Sequence, residues 1–495
     1  MKKGFDQKKY LQLQTEKILE RVSKFDNKLY IEFGGKLFDE HHGSRVLPGL
    51  DPDVKIKMLE KIKDKVEILF CVSATDIEKN RVRGDSGLGY DMEAMRLIDS
   101  LRGAGLYVNN ILITLFNGQQ SAINFATKLE NKGEKVFFHG YTKGYPTDVD
   151  TIVSEEGYGA NPYIPTERPI VIVTAPGAKS GKLATCLSQL YHEHKRGVRA
   201  GYTKFETFPI WNLPLKHPVN LAYEAATADL KDVNMIDPYY YNACGKIAIN
   251  YNRDIEVFPI LNRILTQITG QQDYYNSPTD MGVNMAGCAI CDDEVCRQAA
   301  KQEIIRRFYR YQAEHKTGRE KYETVERVKL IMNDLDIKVE DRKVVCAALE
   351  KKEKTGRHSV AIQLKNGKII TAKEQEFFSA SAGCVLNALK CLADIDDSEN
   401  MIPAEKLEMI LNLKRNILHL DNALLSLKDI LMVLSFNQKE DEKARRCLEQ
   451  VKNLKGCDVH STCLMRESDE NNWRNIGAMV TCEPVFNGNR LLDAW

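Results

Sequence analysis

Short apolar runs and helix-period patterns alternate through the first half of the chain. LYIEFGG (29–35), VEILFCVSA (66–74), NNILITLF (109–116), EKVFFHGY (134–141) and IVIVTAP (170–176) are strand-length and rich in β-branched or aromatic residues. Between them, DPDVKIKMLEKIKD, DMEAMRLIDSLRGAG and GQQSAINFATKLENKG place apolar residues three or four apart, and two of these close on glycine. This alternation predicts an α/β domain over residues 1–270, a parallel Rossmann-like or P-loop-like sheet with helices on both faces. Such sheets bind ligands at the carboxyl ends of their strands.

The texture changes near residue 271. SPTDMGVNMAG is a loop of small and turn-forming residues, and DDEVCRQAAKQEIIRRFYRYQAEHKTG follows as a long helix, acidic at its start and basic near its end. With YETVERVKLIMNDL and VEDRKVVCAALEKKEKTG it makes a helical middle segment, 271–356. SVAIQLKNGKIITAKE then reads as a β-hairpin turning at Asn366-Gly367. Further helices and the strand-like CDVHSTCLM and IGAMVTCEPVF complete a C-terminal α+β domain, 357–495.

Composition narrows the possible partners. Lys+Arg number 70 and Asp+Glu 69, a net charge of +1, so no global field favours nucleic acid or an anionic membrane. No apolar run approaches the roughly 20 residues that cross a bilayer, and the charged, helical N-terminus lacks a signal-peptide core. A cytoplasmic protein is expected, with its 13 cysteines as thiols.

The densest candidate chemistry lies in TAPGAKSGK, between the strand at 170–176 and an amphipathic helix. A P-loop reads G-x-x-x-x-G-K-[ST] in that setting. Here Gly181-Lys182 supplies the G-K pair, but Pro176 holds the first glycine position, Gly177 comes one residue late, and Leu183 replaces the usual hydroxyl. Amides from Ala178 to Lys182 and the Lys182 ammonium would still suit a phosphate, with Ser180 or Thr185 standing in toward Mg²⁺. The bland alternative is a glycine-rich turn carrying a solvated lysine.

Two further loops belong at the same sheet edge. The one after the first strand offers Lys36, His41, His42 and Arg45; the one after the second offers Arg81, Arg83, Asp85 and Ser86. Three basic, glycine-bearing loops would suit a polyanionic small molecule. GYTKFETFPIWNLPLKHPVNLAYEAA (201–226) reads as a long, rigid aromatic loop beside them, with Lys204, Glu206, Thr207, Lys216 and His217 set among Phe205, Phe208 and Trp211. Asp237 and Asp254 are the candidate metal-orienting carboxylates, although an Asp at a strand end is often a helix cap. Cys288, Cys291 and Cys296 have metal-like spacing without a fourth ligand nearby, and Cys457 and His460 would point to opposite faces of a strand.

TAPGAKSGKLATCLSQLYHEHKRG, KFETFPIWNLPLKHPVNLAYEAATADL, SPTDMGVNMAG, KQEIIRRFY and GCDVHST resemble signatures of an uncharacterised bacterial family, domain of unknown function eighteen forty-six. The likeness spans nearly the whole chain. It implies a cytosolic, multi-domain protein without an established reaction. Some members carry an ATP-dependent-peptidase label, for which this sequence offers no machinery. The family's loop also departs from a strict P-loop, with a small residue where Lys179 stands, which carries Gly177, Ser180, Gly181 and Lys182 over as the anion loop. The three-cysteine cluster is outside the family pattern. The C-terminal domain resembles the cytidine-deaminase fold in outline, without its zinc site: Cys384 is followed by Val385 and Leu386, and CEPVF lacks the cysteine pair.

Two functions are therefore expected. In the first, an enzyme binds ATP or another nucleotide with Mg²⁺, or another phosphorylated small molecule, and carries out phosphoryl transfer or ATP-dependent ligation. Lys182, Arg83 and Asp237 are its catalytic candidates; Gly177, Ser180, Gly181, Lys182, Thr185, Lys36, Arg45 and Arg81 hold the ligand. In the second, the same anion pocket serves a non-catalytic regulatory protein. Both expect a homo-oligomer, no zinc, and neither nucleic acid nor membrane as partner.

Overall fold

In the computed structural model, residues 2–488 are described, except 36, 39, 82–87, 273, 421 and 422. They fall into two compact units, one of Lys2–Glu224 with Lys231–Ala300, the other of Ala225–Leu230 with Lys301–Trp495.

The apolar runs of the first unit form strands where the pattern predicts them: β1 (Leu29–Phe33), β2 (Val66–Ser73), β3 (Tyr107–Phe116), β4 (Lys135–Gly140) and β5 (Ile170–Thr174). Four more strands carry no clear signal in the sequence. Gly201–Phe205 is β6, Asn234–Ile236 and Ile249–Tyr251 are β7 and β8 of a small antiparallel pair, and Gly282–Val283 is β9. Seven strands make one parallel sheet in the order β4-β3-β2-β5-β1-β6-β9. β2 and β5 are buried at every position, as a strand covered on both faces must be. Tyr30, Leu69, Cys71, Val171 and Val173 pack with Cys186, Leu187 and Leu190 of the helix Lys182–Lys195 and with Phe258, Leu261 and Leu265 of the helix Asn252–Thr269. The alternate residues Ile31, Ile68, Phe70, Val72 and Ile172 point to the other face and are buried as well.

The stretch 201–226, expected as one long loop, is corrected. Its first five residues are β6, because Tyr202, Thr203 and Phe205 bury themselves against β1 in parallel register from Leu29↔Gly201 to Phe33↔Phe205. Its last nine form the helix Pro218–Ala226. Only the segment between them is loop.

The second unit carries a four-stranded sheet, β11-β10-β12-β13, built from β10 (Ser359–Gln363), β11 (Ile369–Lys373), β12 (Asp458–Ser461) and β13 (Met479–Cys482). β10 and β11 are the predicted hairpin; Gly367 takes φ +87° and the Asn366 side chain accepts from the Lys368 amide. Val360 and Ile362 pack on the helix Ala380–Leu392, while Ala361 between them packs on the helix Lys343–Thr355. The sheet is thus layered between helices, mixed in direction because β12 and β13 run parallel. Arg342 is buried beneath it, donating to Asp458 Oδ1 at 2.8 Å and Thr481 Oγ1 at 3.2 Å.

Candidate functional site at the carboxyl edge of the parallel sheet

Topology fixes where a ligand can sit. β5 lies between β2 and β1, although it follows both in sequence. The chain leaves β2 toward β3 on one side and leaves β5 toward β6 on the other. Adjacent strands whose connections diverge leave a crevice at their carboxyl ends. A second divergence falls between β1, which leads back to β2, and β6, from which the sheet continues to β9.

The first crevice is lined by the glycine-bearing turn after β5. Lys179 at φ +58° and Gly181 at φ +77° adopt left-handed backbone, which coils the turn before the helix starting at Lys182. Gly181 is the N-cap and offers no side-chain capping bond. Among the described residues, no backbone or side-chain acceptor meets the amides of Ala178 to Ala184. Helix N-termini left open in this way attract anions. The Ser180 hydroxyl donates to the Gly177 carbonyl at 3.0 Å, and the Lys182 ammonium lies over the same turn, 3.3 Å from that carbonyl and 3.5 Å from Ser180 Oγ. Thr114, at the end of β3, donates to the Ser180 carbonyl at 2.8 Å and holds the turn against the sheet.

The loop after β2 reaches the same turn. A methyl group on Gly177 would lie 2.5 Å from the Tyr90 hydroxyl, so only glycine lets the two segments meet. The Arg81 guanidinium stacks over the Tyr90 ring, 5.4 Å from its centroid, and pairs with Asp76 at 3.3 Å. Gly177, Ser180, Gly181, Lys182 and Arg81 are thereby gathered. Thr185 lies differently: its buried hydroxyl donates to the Gly181 carbonyl at 3.0 Å and accepts from Cys71 at 3.8 Å, directed beneath the turn. Arg45, with His41 and His42, lies in the short helix His41–Val46 after β1, where the His42 ring meets Phe208 and Tyr223 edge-on. Lys36, Arg83, Asp85 and Ser86 fall outside the described residues.

Asp237 is fully buried and its oxygens are engaged. It caps the helix Pro238–Cys244 by accepting from the Tyr240 amide at 3.0 Å, and it accepts from Thr279 Oγ1 at 2.6 Å and the Thr279 amide at 3.2 Å. The cap reading of this residue describes its surroundings better than a catalytic one. His217 is similarly engaged, with Asp293 at 2.9 Å on one ring nitrogen and the Val219 amide at 3.2 Å on the other.

The second crevice holds a charge cluster assembled from distant segments. Lys204 on β6 stands beside Glu32 on β1 in the strand register. Its ammonium contacts Asp254 at 2.7 and 2.8 Å and Glu206 at 2.9 Å, while the Tyr202 hydroxyl donates to Glu32 at 2.9 Å. Gly34 makes room for this arrangement, since a β-carbon there would sit 2.6 Å from Glu206 Cγ. Burial depresses the Lys204 ammonium's pKa, but Asp254, Glu206 and Glu32 outweigh it and hold the group above its ordinary range. Burial pushes the Glu206 carboxyl up to about 7; Lys204 opposes the shift, and Asp254 and Glu32 add to it. The sequence singles out Lys204 and Glu206 together in 201–226 and Asp254 apart from them, and does not point to Glu32. The available signal was an acid in the otherwise apolar LYIEF, one residue from the strand's carboxyl end.

The cysteines form no comparable centre. Cys296 is buried with its thiol against the Gly4 carbonyl, Cys291 is exposed, and among the described residues no group of three His, Cys, Asp or Glu side chains is placed to hold a metal. His460 is buried between Thr481 at 2.9 Å and Glu483 at 3.2 Å. Among the described residues, no helix is long and apolar enough to cross a membrane.

Comparison with known proteins agrees along the length of the chain. Residues 3–336 match the family model described as "Domain of unknown function DUF1846, N-terminal", and residues 340–492 match its C-terminal counterpart. A "UPF0371 protein" of the Alaska strain of Clostridium botulinum is 51% identical over 494 residues, covering 98% of each chain. One from the Langeland strain is 52% identical over the same length and coverage. The similarly named protein of Clostridium tetani is 51% identical over 494 residues, again covering 98% of each chain.

Proposed function

This chain belongs to the family described as domain of unknown function DUF1846, and for this member we propose that the crevice between β2 and β5 binds the phosphate of a nucleotide or another phosphorylated small molecule. One observation carries the reading: the run of amides from Ala178 to Ala184, without acceptors among the described residues, at the start of a helix whose first residue is Lys182. Backbone donors, the helix dipole and one ammonium supply the neutralisation that a phosphate needs. Arg81, on the facing loop, adds a second cation. The nearly balanced overall charge supports a small anionic ligand over a polyanionic chain.

Whether binding leads to phosphoryl transfer depends on a metal-orienting acid. Glu32 favours that second reading, because it lies near the carboxyl end of β1, the strand beside β5, where phosphoryl-transfer sites need a carboxylate. The absence of a hydroxyl after Lys182 and the inward turn of Thr185 favour binding without turnover. The hairpin, helix and strand order of the second unit supports a deaminase-like outline as a scaffold, with Cys384 buried in its core.

A thermal-shift series with ATP, GTP and sugar phosphates, with and without Mg²⁺, tests the reading on wild type and Lys182→Ala. A ligand at about 100 times its Kd stabilises the native state by about 2.7 kcal/mol. Stabilisation of wild type that is lost in Lys182→Ala is the expected result. No shift of the wild-type protein by any phosphorylated ligand overturns it.

A further inference from the structure

The phosphate crevice leaves the second divergence in the sheet unexplained, although it has the features of a site. A cavity of about 360 Å³ opens at the carboxyl ends of β6 and β9, near the lower end of the roughly 300–1,000 Å³ typical of small-molecule pockets. Its inner side chains are Lys204, Glu206 and Asp254, all largely buried. Trp211 and Tyr240 wall it. The Trp211 indole is fixed by donating to the Asn284 carbonyl at 2.8 Å, so the wall is rigid.

The charges are arranged asymmetrically. Inside, Lys204 lines the cavity beside the carboxylates of Glu206 and Asp254, with Glu32 next to it in the strand register, and the Arg253 guanidinium, paired with Asp232, is within electrostatic reach of the same two acids. Burial makes Glu206 hold its proton more tightly than an ordinary carboxyl; Lys204 opposes this, and Asp254 and Glu32 add to it. Close by, the Tyr251 hydroxyl is buried, within electrostatic reach of Glu206 and Asp254, and has no hydrogen-bond partner among the described residues. A buried hydroxyl without a partner beside acidic side chains marks a polar environment that favours a positively charged group. At the outer side the sign reverses. Lys17 and Arg21 of the helix Gln7–Ser23 and Lys24, which caps it, line the cavity, opposed by Asp280, and the two lysines share one carboxylate, Glu20.

We infer that this cavity binds a zwitterionic amino acid, its ammonium directed to Glu206 and Asp254 and its carboxylate to the basic rim. Charge-assisted hydrogen bonds at both ends fix the orientation, and the aromatic walls take the side chain. A metal ion fits less well, because Lys204 already occupies the centre of the carboxylates. A simple anion would meet the buried acids, and a simple amine would leave the rim unused. The inference concerns a different crevice from the phosphate site and stands without it.

The test is isothermal titration calorimetry on the full chain with the free L-amino acids and their N-acetyl derivatives at millimolar concentration, without nucleotide. The expected result is saturable binding of at least one free amino acid, weakened about tenfold or more by N-acetylation, which removes the ammonium. Glu206→Gln is expected to weaken the same ligand about tenfold while leaving Lys204 paired with Asp254. Failure of every free amino acid to bind folded wild type overturns the inference, as does equal binding of the N-acetyl form. Should Glu206→Gln not fold, the wild-type comparison between free and acetylated ligand decides. The phosphate reading is scored separately, by the nucleotide-dependent shift.

Discussion

Tyr90 closes on Gly177 so tightly that a β-carbon on the glycine would lie 2.5 Å from the tyrosine oxygen and 2.9 Å from its ring. The contact joins the loop after β2 to the turn after β5, and the space between them is the phosphate crevice. Gly177→Ala is expected to displace Tyr90, which is itself buried, and to cost about 1–3 kcal/mol by overpacking. Phosphate-ligand affinity should fall with it. Tyr90→Phe should not rescue the variant, because the ring carbons also collide; Gly177→Ala combined with Tyr90→Ala should recover part of the stability. Thermal unfolding of the three variants reads this directly, and an unperturbed Gly177→Ala would refute the tight contact.

Glu206 gives the stability of the first unit a definite pH dependence. Its carboxyl titrates at about 7 in the folded chain, against 4.5 as its ordinary value. The folded state therefore binds the extra proton between these values. The associated stability is complete below about 4.5 and is lost as pH rises through about 7. Glu206→Gln cannot ionise, so its melting temperature relative to wild type should rise from pH 5 to pH 8. A difference that stays flat or falls over that range would contradict the assignment.

His139, at the end of β4, works in the opposite sense. It is buried against the Pro162 carbonyl at 2.9 Å, and burial lowers its pKa from 6.5 to about 4, with the nearby His192 adding to the depression. Below pH 6.5 the unfolded chain takes up a proton that the folded chain refuses, so stability falls progressively toward pH 4. The loss approaches ~3 kcal/mol. His139→Gln retains an amide donor for Pro162 and should show a smaller drop in urea midpoint between pH 7 and pH 5. Equal drops in the two proteins would remove His139 as the cause.

Much of the first sheet was legible because its strands satisfy the simplest rule, continuous burial. β2 and β5 contain no position that must face water, and their apolar runs matched the observed elements within one or two residues at most ends. β6 escaped for the same physical reason in reverse. GYTKF carries a lysine that ordinarily marks solvent, but Lys204 is neutralised inside by carboxylates from β1 and from the helix Asn252–Thr269. Nothing local announces that pairing, since Glu32, Lys204 and Asp254 meet only through the order of strands. The turn at Gly177–Lys182 was visible because its chemistry is local. Asp237 illustrates the converse: its residue type and place at a strand end permitted both catalysis and capping, and the buried bonds to Tyr240 and Thr279 fit the second.

In the second unit, Arg342 ties the sheet to its underside. Its guanidinium reaches Asp458, Thr481 and the Met479 carbonyl, so it spans the parallel pair β12 and β13. Removing one partner of a buried charge pair typically costs about 3–5 kcal/mol. Arg342→Ala should destabilise this unit by about that amount, and Arg342→Lys should recover little, because an ammonium cannot span the three acceptors. Chemical denaturation monitored at Trp473, which is buried in this unit's core, provides the measurement.

The position of β5 also bears on how the chain is made. Among the described residues, β1 pairs with β5 and β6 alone. A nascent chain completes β1 at Phe33 and waits until Ile170 and beyond for either neighbour. At about 5–20 residues per second, that interval is on the order of ten seconds. Throughout it, both edges of the first strand remain open and able to pair wrongly. β2, β3 and β4 can meanwhile assemble in sequence order as a separate ribbon. The arrival of β5 joins this ribbon to β1 and, in the same step, brings the phosphate turn to the crevice. The joining of the sheet and the birth of its binding edge are one event, and a ribosome stalled before Ile170 carries only the β2, β3 and β4 ribbon and an unpaired β1.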